Sequence, residues 1–171
     1  GRFYAQAYKI NTITTRMFTH TGPRRGDVFA ESSFAKQIAM IEANKIKPII
    51  KVGNLKSLRT YGDVRDAVKA YYMSLTKKPV RGEYYNIGGN YTCTVGDMLK
   101  ELLSISKIKK YKIQIDRNRL RPIDADLQVP DVSKFSNHTK WKPEISFRKT
   151  MTDLLNYWRK KVKQSNLLSL R

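Results

Sequence analysis

The stretch LRTYGDVRDAVKAYYMSLTKKPVRGEYYNIGG, residues 58–89, decides the predicted fold because a strand, a helix and a second strand follow one another in it. Asp63 stands where a helix N-cap is expected. Apolar residues then recur at helical spacing and lie on one face of the predicted helix: Val64, Val68, Tyr71 and Leu75. The segment GEYYNIGG ends in paired glycines and is typical of a strand. This order favours an α/β fold.

The flanking segments continue the alternation of strands and helices. INTITTRMF, KPIIKVGN and YKIQID are predicted as strands, and VSKFSNHTKW as a short helix. SFAKQIAMIEANK places Phe34, Ile38 and Ile41 at helical spacing. TVGDMLKELLSI begins with Thr94 and Asp97 at capping-box spacing, and a buried stripe follows: Val95, Met98, Leu99 and Leu102. FRKTMTDLLNYWRKKV is predicted as a final amphipathic helix, followed by a loose tail.

The composition is that of an ordinary globular domain apart from its charge. No apolar run is long enough to span a bilayer. The 34 lysines and arginines oppose 14 acidic residues, for a formal charge of +20. Such a surface attracts polyanions, so a nucleic-acid-binding module is one alternative, although the basic residues are spread along the chain. The single cysteine, Cys93, excludes disulfides within the chain and favours a reducing, cytoplasmic location.

The loop RMFTHTGPRRGDVF, residues 16–29, has the features of a ligand-binding loop. It follows a predicted buried strand, turns at Gly22-Pro23, and carries Arg24 and Arg25, whose forked donors suit a phosphate. Loops at the carboxyl ends of parallel strands are where open α/β sheets bind ligands. A surface arginine pair beside a turn is the alternative interpretation.

Two further segments carry candidate nucleotide-binding residues. Arg59 ends a predicted strand just before a helix N-terminus, which suits an anion; an ion pair with Asp63 or Asp66 is the alternative. In RLRPIDADLQVPD, Arg121 precedes proline and is held extended, and Asp124 follows three residues later. One arginine for a diphosphate and one carboxylate for ribose hydroxyls suit a nucleotide, and a charged surface loop is the alternative.

Taken together and in this order, these segments resemble the C-terminal half of the extended short-chain dehydrogenase/reductase family, especially its GDP-mannose 4,6-dehydratase group. FTHTGPRRG is similar to the F-N-H-x-x-P-R-R-G loop of that group, and VGNLKSLRTYGDVRDAVKAYY to its L-G-N-L-x-x-x-R-D-[WF] segment. EYYNIGG is similar to a late sheet strand. The stretch beginning RLRPIDADL matches the R-P-x-[ED]…D-x-x-K…G-W-x-P-x-[IV] ending of this NAD-dependent epimerase/dehydratase family.

The resemblance implies the C-terminal part of an NAD(P)-binding, Rossmann-like extended fold. Residues 1–162 would hold the last sheet strands and a small α/β substrate-binding subdomain, and residues 163–171 a flexible tail. His20 and Arg25 correspond to positions that contact the dinucleotide, NADP or NAD. The positions that bind the nucleotide sugar correspond to Thr19, Asn54, Arg59, Arg121 and Asp124. Arg59 and Arg121 would converge on its diphosphate.

The implied reaction is that of a lyase, which converts GDP-mannose to GDP-4-keto-6-deoxymannose. The sequence departs from the group's pattern at three positions. Thr19 replaces asparagine, Thr60 replaces aspartate, and Ser33 stands near the position at which the dehydratases have a phosphate-binding lysine. SSFAKQIAMIE is nearer to the related reductases that act on GDP-4-keto-6-deoxymannose. A reductase or another epimerase of nucleotide sugars is therefore the alternative enzyme.

The dinucleotide-binding fingerprint and the catalytic pair of the family are not found at their expected positions. It contains no G-x-x-G-x-x-G, and the catalytic Tyr-x-x-x-Lys pair is missing near the N-terminus, since Lys9 comes one residue too late after Tyr4. We therefore expect a chain that begins inside the helix of that pair, has no catalytic residue and is inactive alone.

Two histidines so far apart predict no metal site. The strands near 12–18 and 83–88 would need a larger parallel sheet, which predicts a homo-oligomer or a missing N-terminal Rossmann half.

Overall fold

The computed structural model describes residues 1–120 and 127–168 of the 171-residue chain, with side chains through residue 164. Helices and strands alternate along the described chain, which confirms the predicted α/β class. The helices are α1 (Arg2–Tyr8), α2 (Ala30–Glu42), α3 (Val64–Thr76), α4 (Val95–Ser104), α5 (Ser133–Thr139) and α6 (Phe147–Leu168). The strands are β1 (Thr14–Met17), β2 (His20–Thr21), β3 (Ile49–Val52), β4 (Leu58–Asp63), β5 (Tyr84–Ile87), β6 (Tyr91–Thr94), β7 (Lys112–Ile115) and β8 (Leu127–Gln128).

The described strands form three small sheets. β1 pairs in parallel with β5, with Thr14 opposite Tyr84, and β3 pairs in parallel with β7. In the largest sheet, β4 pairs antiparallel with β6 and parallel with β2 and β8. The sequence pattern does not indicate β2, β6 and β8, because segments of two to four residues carry no periodicity of their own.

The larger hydrophobic core, here called the helical core, lies between α2, α4 and α6 and the strands β3, β4 and β6. The predicted stripes of α2 and α4 are buried in it as expected: Phe34, Ile38, Ile41, Val95, Met98, Leu99 and Leu102. Leu154 and Leu155 from α6 are fully buried there. Cys93 also belongs to this core, and burial raises the pKa of its thiol to about 11.

A smaller core covers the strands β1 and β5, here called the parallel pair. It contains Tyr85 and Ile87 from β5, Phe135 from α5, and the buried Trp141. The predicted apolar face of α3 does not contribute to it. Val68 and Leu75 are 61% and 68% exposed, and the small side chains of the opposite face are the buried ones: Ala67, Ala70 and Ser74. The helix prediction is therefore confirmed, but its apolar face points to solvent.

Asp63 joins α3 to the helical core. It caps α3 as predicted, accepting a 2.8 Å hydrogen bond from the backbone N–H of Arg65. Its other carboxylate oxygen accepts a 2.7 Å hydrogen bond from the hydroxyl of Thr150 on α6. Arg65 also forms a salt bridge with Asp153 of α6, at 2.9 Å. The first turn of α3, which begins at the end of β4, is thereby fixed against α6.

Helix α6 extends beyond residue 162, where the flexible tail is expected to begin. It runs from Phe147 to Leu168, so residues 163–168 are helical, whereas the sequence analysis places a loose tail after Val162. Lysine and arginine are frequent in its second half, and solvent-exposed positions there suit them. Within the described residues, no helix is both long and apolar enough to cross a membrane.

Candidate functional site

A cleft of about 610 Å³ lies where several distant segments meet. It is lined by the loop between β2 and α2 with the first turn of α2, by the Gly53-Asn54 turn with residues 118–120, and by strands β4 and β8. Pockets that hold small ligands typically measure about 300–1,000 Å³. The cleft is therefore large enough for a nucleotide-sized ligand.

The loop between β2 and α2 has a defined shape that separates its two arginines. Gly22 has φ of 149°, and a Cβ there would lie 2.9 Å from Val64. The N–H of Arg25 donates to the carbonyl of Gly22 at 3.2 Å and closes the predicted turn. Arg24 is exposed to solvent, whereas Arg25 lines the cleft. Only one arginine of the predicted pair thus reaches the site.

Arg25 is held between an aromatic ring and a carboxylate. Its guanidinium carbon lies 3.4 Å from the centroid of the Phe29 ring, a cation–π contact. Its Nε lies 3.4 Å from Oε1 of Glu31, which is only 5% exposed. Because this carboxylate offsets part of its charge, Arg25 is less suited to a phosphate than an isolated arginine would be.

Arg59 lies on β4 and lines the cleft, where it donates a hydrogen bond to the side chain of Gln128 on β8. The carboxylates that the sequence analysis offers as its structural partners are bound elsewhere. Asp63 accepts from Arg65 and Thr150, and Asp66 accepts from the backbone N–H groups of residues 144 and 145. The described structure therefore has no ion pair between Arg59 and Asp63 or Asp66, contrary to that alternative interpretation.

A third guanidinium, that of Arg119, enters the cleft from the short 3₁₀ turn at Arg117–Arg119. Its Nη1 donates a 2.8 Å hydrogen bond to the hydroxyl of Ser33 in α2, and its Nε lies 3.4 Å from Asp116. The turn packs directly on Gly53, where a Cβ would collide with the carbonyl oxygen of Arg119. Sequence reasoning misses this arginine because its partner lies 86 residues away.

The predicted sugar-nucleotide residues are only partly brought together by the described structure. Thr19, Asn54 and Arg59 line the same cleft. The amide of Asn54 also holds its own turn, donating to Ser57 and accepting from the backbone N–H of Lys56, both at 2.9 Å. Arg121 and Asp124 lie outside the described residues. The convergence of Arg59 with Arg121, and the ligand roles of all five residues, stay predictions.

The predicted dinucleotide residues, His20 and Arg25, face a second depression of about 410 Å³. This depression shares Thr19, Arg25 and Gln128 with the cleft, so the two are adjacent. Nδ1 of His20 donates to the carbonyl of Phe18 at 3.1 Å, which fixes the orientation of the ring. A cofactor in the depression and a substrate in the cleft would therefore touch.

The charges of the described cleft lining are unequal. Three arginines, at positions 25, 59 and 119, stand against one carboxylate, that of Glu31. Glu31, Arg119 and Gln128 are not among the residues that the sequence predicts for the site. Arg119 and Gln128 lie within RLRPIDADLQVPD, where the motif indicates Arg121 and Asp124 instead, and only the folded chain brings them to the cleft. The excess of positive charge along the described lining favours an anionic ligand.

Comparison with known proteins places these features in a family. The family described as GDP-mannose 4,6 dehydratase matches residues 1–154. A GDP-6-deoxy-D-mannose reductase of Pseudomonas aeruginosa is 26% identical over 152 residues, which cover 89% of this chain and 49% of that protein. GDP-mannose 4,6 dehydratase 1 of Arabidopsis thaliana is 25% identical, with coverage of 85% and 40%. The chain thus spans half the length of these relatives or less.

Solved structures show the same fold. The structure of RMD from Pseudomonas aeruginosa, complexed with NADPH, matches with a TM-score of 0.85 and 23% identity, over 94% of this chain and 52% of that one. A UDP-glucose 4-epimerase from Thermotoga maritima, solved with UDP-glucose, matches with a TM-score of 0.76 and 23% identity, over 94% and 50%. The predicted Rossmann-like extended short-chain dehydrogenase fold is therefore confirmed.

Proposed function

This chain belongs to the GDP-mannose 4,6 dehydratase family, and we propose that its cleft binds the nucleotide sugar of an enzyme that converts GDP-mannose to GDP-4-keto-6-deoxymannose. The observation that carries this proposal is the convergence of Arg59 and Arg119 on one cleft. The diphosphate of a nucleotide sugar carries two negative charges. Guanidinium groups suit it because they can form two parallel hydrogen bonds to phosphate oxygens.

In the proposed reaction, NADP or NAD supplies hydride transfer when it is bound. His20 and Arg25 would hold it in the depression beside the cleft. The residues of this chain bind and orient: Arg59 and Arg119 fix the diphosphate, and Thr19 lies where the two ligands would meet. Such positioning lowers the barrier of the chemical step in the intact enzyme. This chain alone is expected to bind the sugar nucleotide without turning it over.

The parallel pair supports the proposal of a dinucleotide-binding half as partner. Two parallel strands rarely form an independent sheet, because parallel sheets are normally covered on both faces. Large apolar side chains near them are exposed, among them Phe3 and Tyr8 of α1, at 66% and 64%, and Tyr72 of α3, at 67%. We propose that a Rossmann-type half, in the same polypeptide or a separate one, adds strands beside β1 and covers these side chains.

Replacement of Arg59 tests the proposed function. Calorimetric titration with GDP-mannose should show that Arg59→Gln weakens binding about tenfold or more, because a charge-assisted hydrogen bond is worth about 1.5–3 kcal/mol. Arg148→Gln is the matched control, since Arg148 is 63% exposed and its partner is Glu101, outside the cleft. We expect a change of less than about twofold for it. Equal affinities for the two variants would contradict the proposal.

The reductase alternative is favoured by SSFAKQIAMIE, which is nearer to the reductases and in which the hydroxyl of Ser33 accepts a hydrogen bond from Arg119. Product analysis of the enzyme with both halves separates the two reactions. The dehydratase proposal predicts a 4-keto-6-deoxy sugar nucleotide without net consumption of the cofactor. A reduced 6-deoxy product with stoichiometric consumption of NAD(P)H would replace it with the reductase.

A further inference from the structure

Glu31 is a buried carboxylate whose hydrogen-bonding capacity is not filled by the protein. It lies in the first turn of α2, is 5% exposed and lines the cleft. Its Oε1 lies 3.4 Å from Nε of Arg25, close enough for a salt bridge, yet neither atom has a hydrogen-bond partner. Over residues 1–120 and 127–168, no hydrogen bond reaches either oxygen of Glu31. A buried acceptor left in this state costs free energy.

A purely structural role explains only part of this arrangement. A carboxylate in the first turn of a helix interacts favourably with the helix dipole. An exposed position on the same turn would give that benefit without desolvation of the charge. Glu31 is instead enclosed on the side of the cleft, next to an arginine whose ring-stacked guanidinium also has an unfilled donor. Oε1 of Glu31 and Nε of Arg25 are themselves enclosed, so Oε2 is the carboxylate oxygen that a ligand in the cleft would reach.

The Glu31 carboxylate divides the cleft into two electrostatic environments. Arg59 and Arg119 present guanidinium groups to another part of the cleft, and these suit a phosphate; Asp116, 3.4 Å from Nε of Arg119, is not among the described lining residues. Near Arg25 the charge is balanced by Glu31, whose oxygens would repel a phosphate and accept hydrogen bonds from neutral donors. Hydroxyl groups are such donors, and they are abundant on a hexose.

We propose that Glu31 accepts hydrogen bonds from the hexose hydroxyls of the bound nucleotide sugar, and thereby distinguishes the sugar nucleotide from the free nucleoside diphosphate. This inference rests on the proposed function of the cleft. It assigns the hexose to the end formed by Arg25 and Glu31, and the diphosphate to the end formed by Arg59 and Arg119. A site that is built to bind a hydroxyl rejects ligands that lack it, because its buried acceptor is then left unpaired.

The experiment compares GDP-mannose with GDP by calorimetric titration of the 171-residue chain. The wild type should bind GDP-mannose at least about tenfold more tightly than GDP. Glu31→Gln should bind GDP within about twofold of the wild type, while its preference for GDP-mannose falls below about threefold. Glu144→Gln is the matched control: its side chain is 57% exposed and pairs with Lys69 outside the cleft, so it removes the same charge and should keep the preference.

Three outcomes overturn the inference. The first is a Glu31→Gln variant that keeps the full preference for GDP-mannose. The second is an equal loss of both ligands, which would show that Glu31 only supports the fold. The third is a wild type that binds GDP and GDP-mannose equally. If the wild type binds neither ligand, the proposed function itself fails, so the two failures are distinguishable.

A second measurement tests the inference even if the Glu31→Gln variant does not fold. Titration of the wild-type chain with GDP-mannose analogues that each lack one hexose hydroxyl requires no substitution. At least one analogue should bind about tenfold more weakly than GDP-mannose, and Glu31→Asp, with its shorter side chain, should reduce that discrimination. Equal binding of all analogues would overturn the role of Glu31.

Discussion

The helical core and the parallel pair are two regions of one chain with opposite relations to solvent. Leu154 in the helical core is fully buried, whereas Leu75, on the helix beside the parallel pair, is 68% exposed. Both leucines lie on amphipathic helices of similar pattern. The helical core thus buries its apolar side chains within the described residues, whereas large apolar side chains beside the parallel pair are exposed.

The same substitution in the two regions is the strongest test of this difference. Leu154→Ala removes buried methyl groups and leaves a cavity, which should lower the free energy of unfolding by about 2–5 kcal/mol. Leu75→Ala should change it by less than about 0.5 kcal/mol, because the side chain already contacts water. Urea unfolding followed by circular dichroism measures both values. Similar losses for the two variants would refute this difference in burial between the two regions.

Substitution of Asp63 tests the connection between the two regions, and its expected effect on the free energy of unfolding is intermediate. Burial opposes its ionisation, but hydrogen bonds from Arg65 and Thr150 outweigh this and hold the pKa of Asp63 below its usual range. The contribution of the ionised Asp63 to the free energy of unfolding is therefore fully present at neutral pH. It is lost as the pH falls below about 4. Asp63→Asn should cost about 1–3 kcal/mol at pH 7 and weaken the stability loss in acid.

Asp27 provides the control for this variant. Its carboxylate is 45% exposed and pairs with Lys36 at 2.6 Å, with no link between α3 and α6. Asp27→Asn should cost less than about 1 kcal/mol, because exposed salt bridges contribute little. Urea unfolding at pH 7 and at pH 3 checks both variants. If Asp63→Asn loses no more than Asp27→Asn, Asp63 does not connect the regions energetically.

The smallest effect is expected on self-association. Without a partner, the exposed apolar side chains near the parallel pair should associate with those of a second copy. Leu75→Lys should weaken this association about fivefold, the equivalent of about 1 kcal/mol of apolar burial. Sedimentation velocity at several concentrations measures it. Gln164→Lys adds the same charge at an exposed site on α6 and should have little effect, and equal effects of the two would contradict the proposed surface.

Much of the fold could be predicted because it is encoded locally. The 3.6-residue period of α2 and α4 placed their buried stripes correctly, and Asp63 and Thr94 are the caps that their positions indicate. The resemblance in the segments around Arg25 and Arg59 led to the family that the comparisons show. Such features depend on neighbours within a few residues along the chain.

The site was less predictable because its residues meet only through folding. Arg119 contacts Ser33 across 86 residues, and nothing in the sequence around either residue indicates the pair. The predicted arginine pair separates because Arg24 adopts a left-handed conformation, with φ of 76°, and is exposed. Short strands such as β8, which brings Gln128 to Arg59, exist only because a longer strand provides their hydrogen bonds.

The sequence by itself determined the α/β class, the positions of the helices, the family and the loop that carries Arg25. Only the tertiary structure decided that the apolar face of α3 is exposed, that Glu31 is buried beside the cleft, and that Arg119 reaches it. The physical reason is that periodicity and caps fix a backbone locally. Burial and charge pairing depend instead on which distant segments pack together.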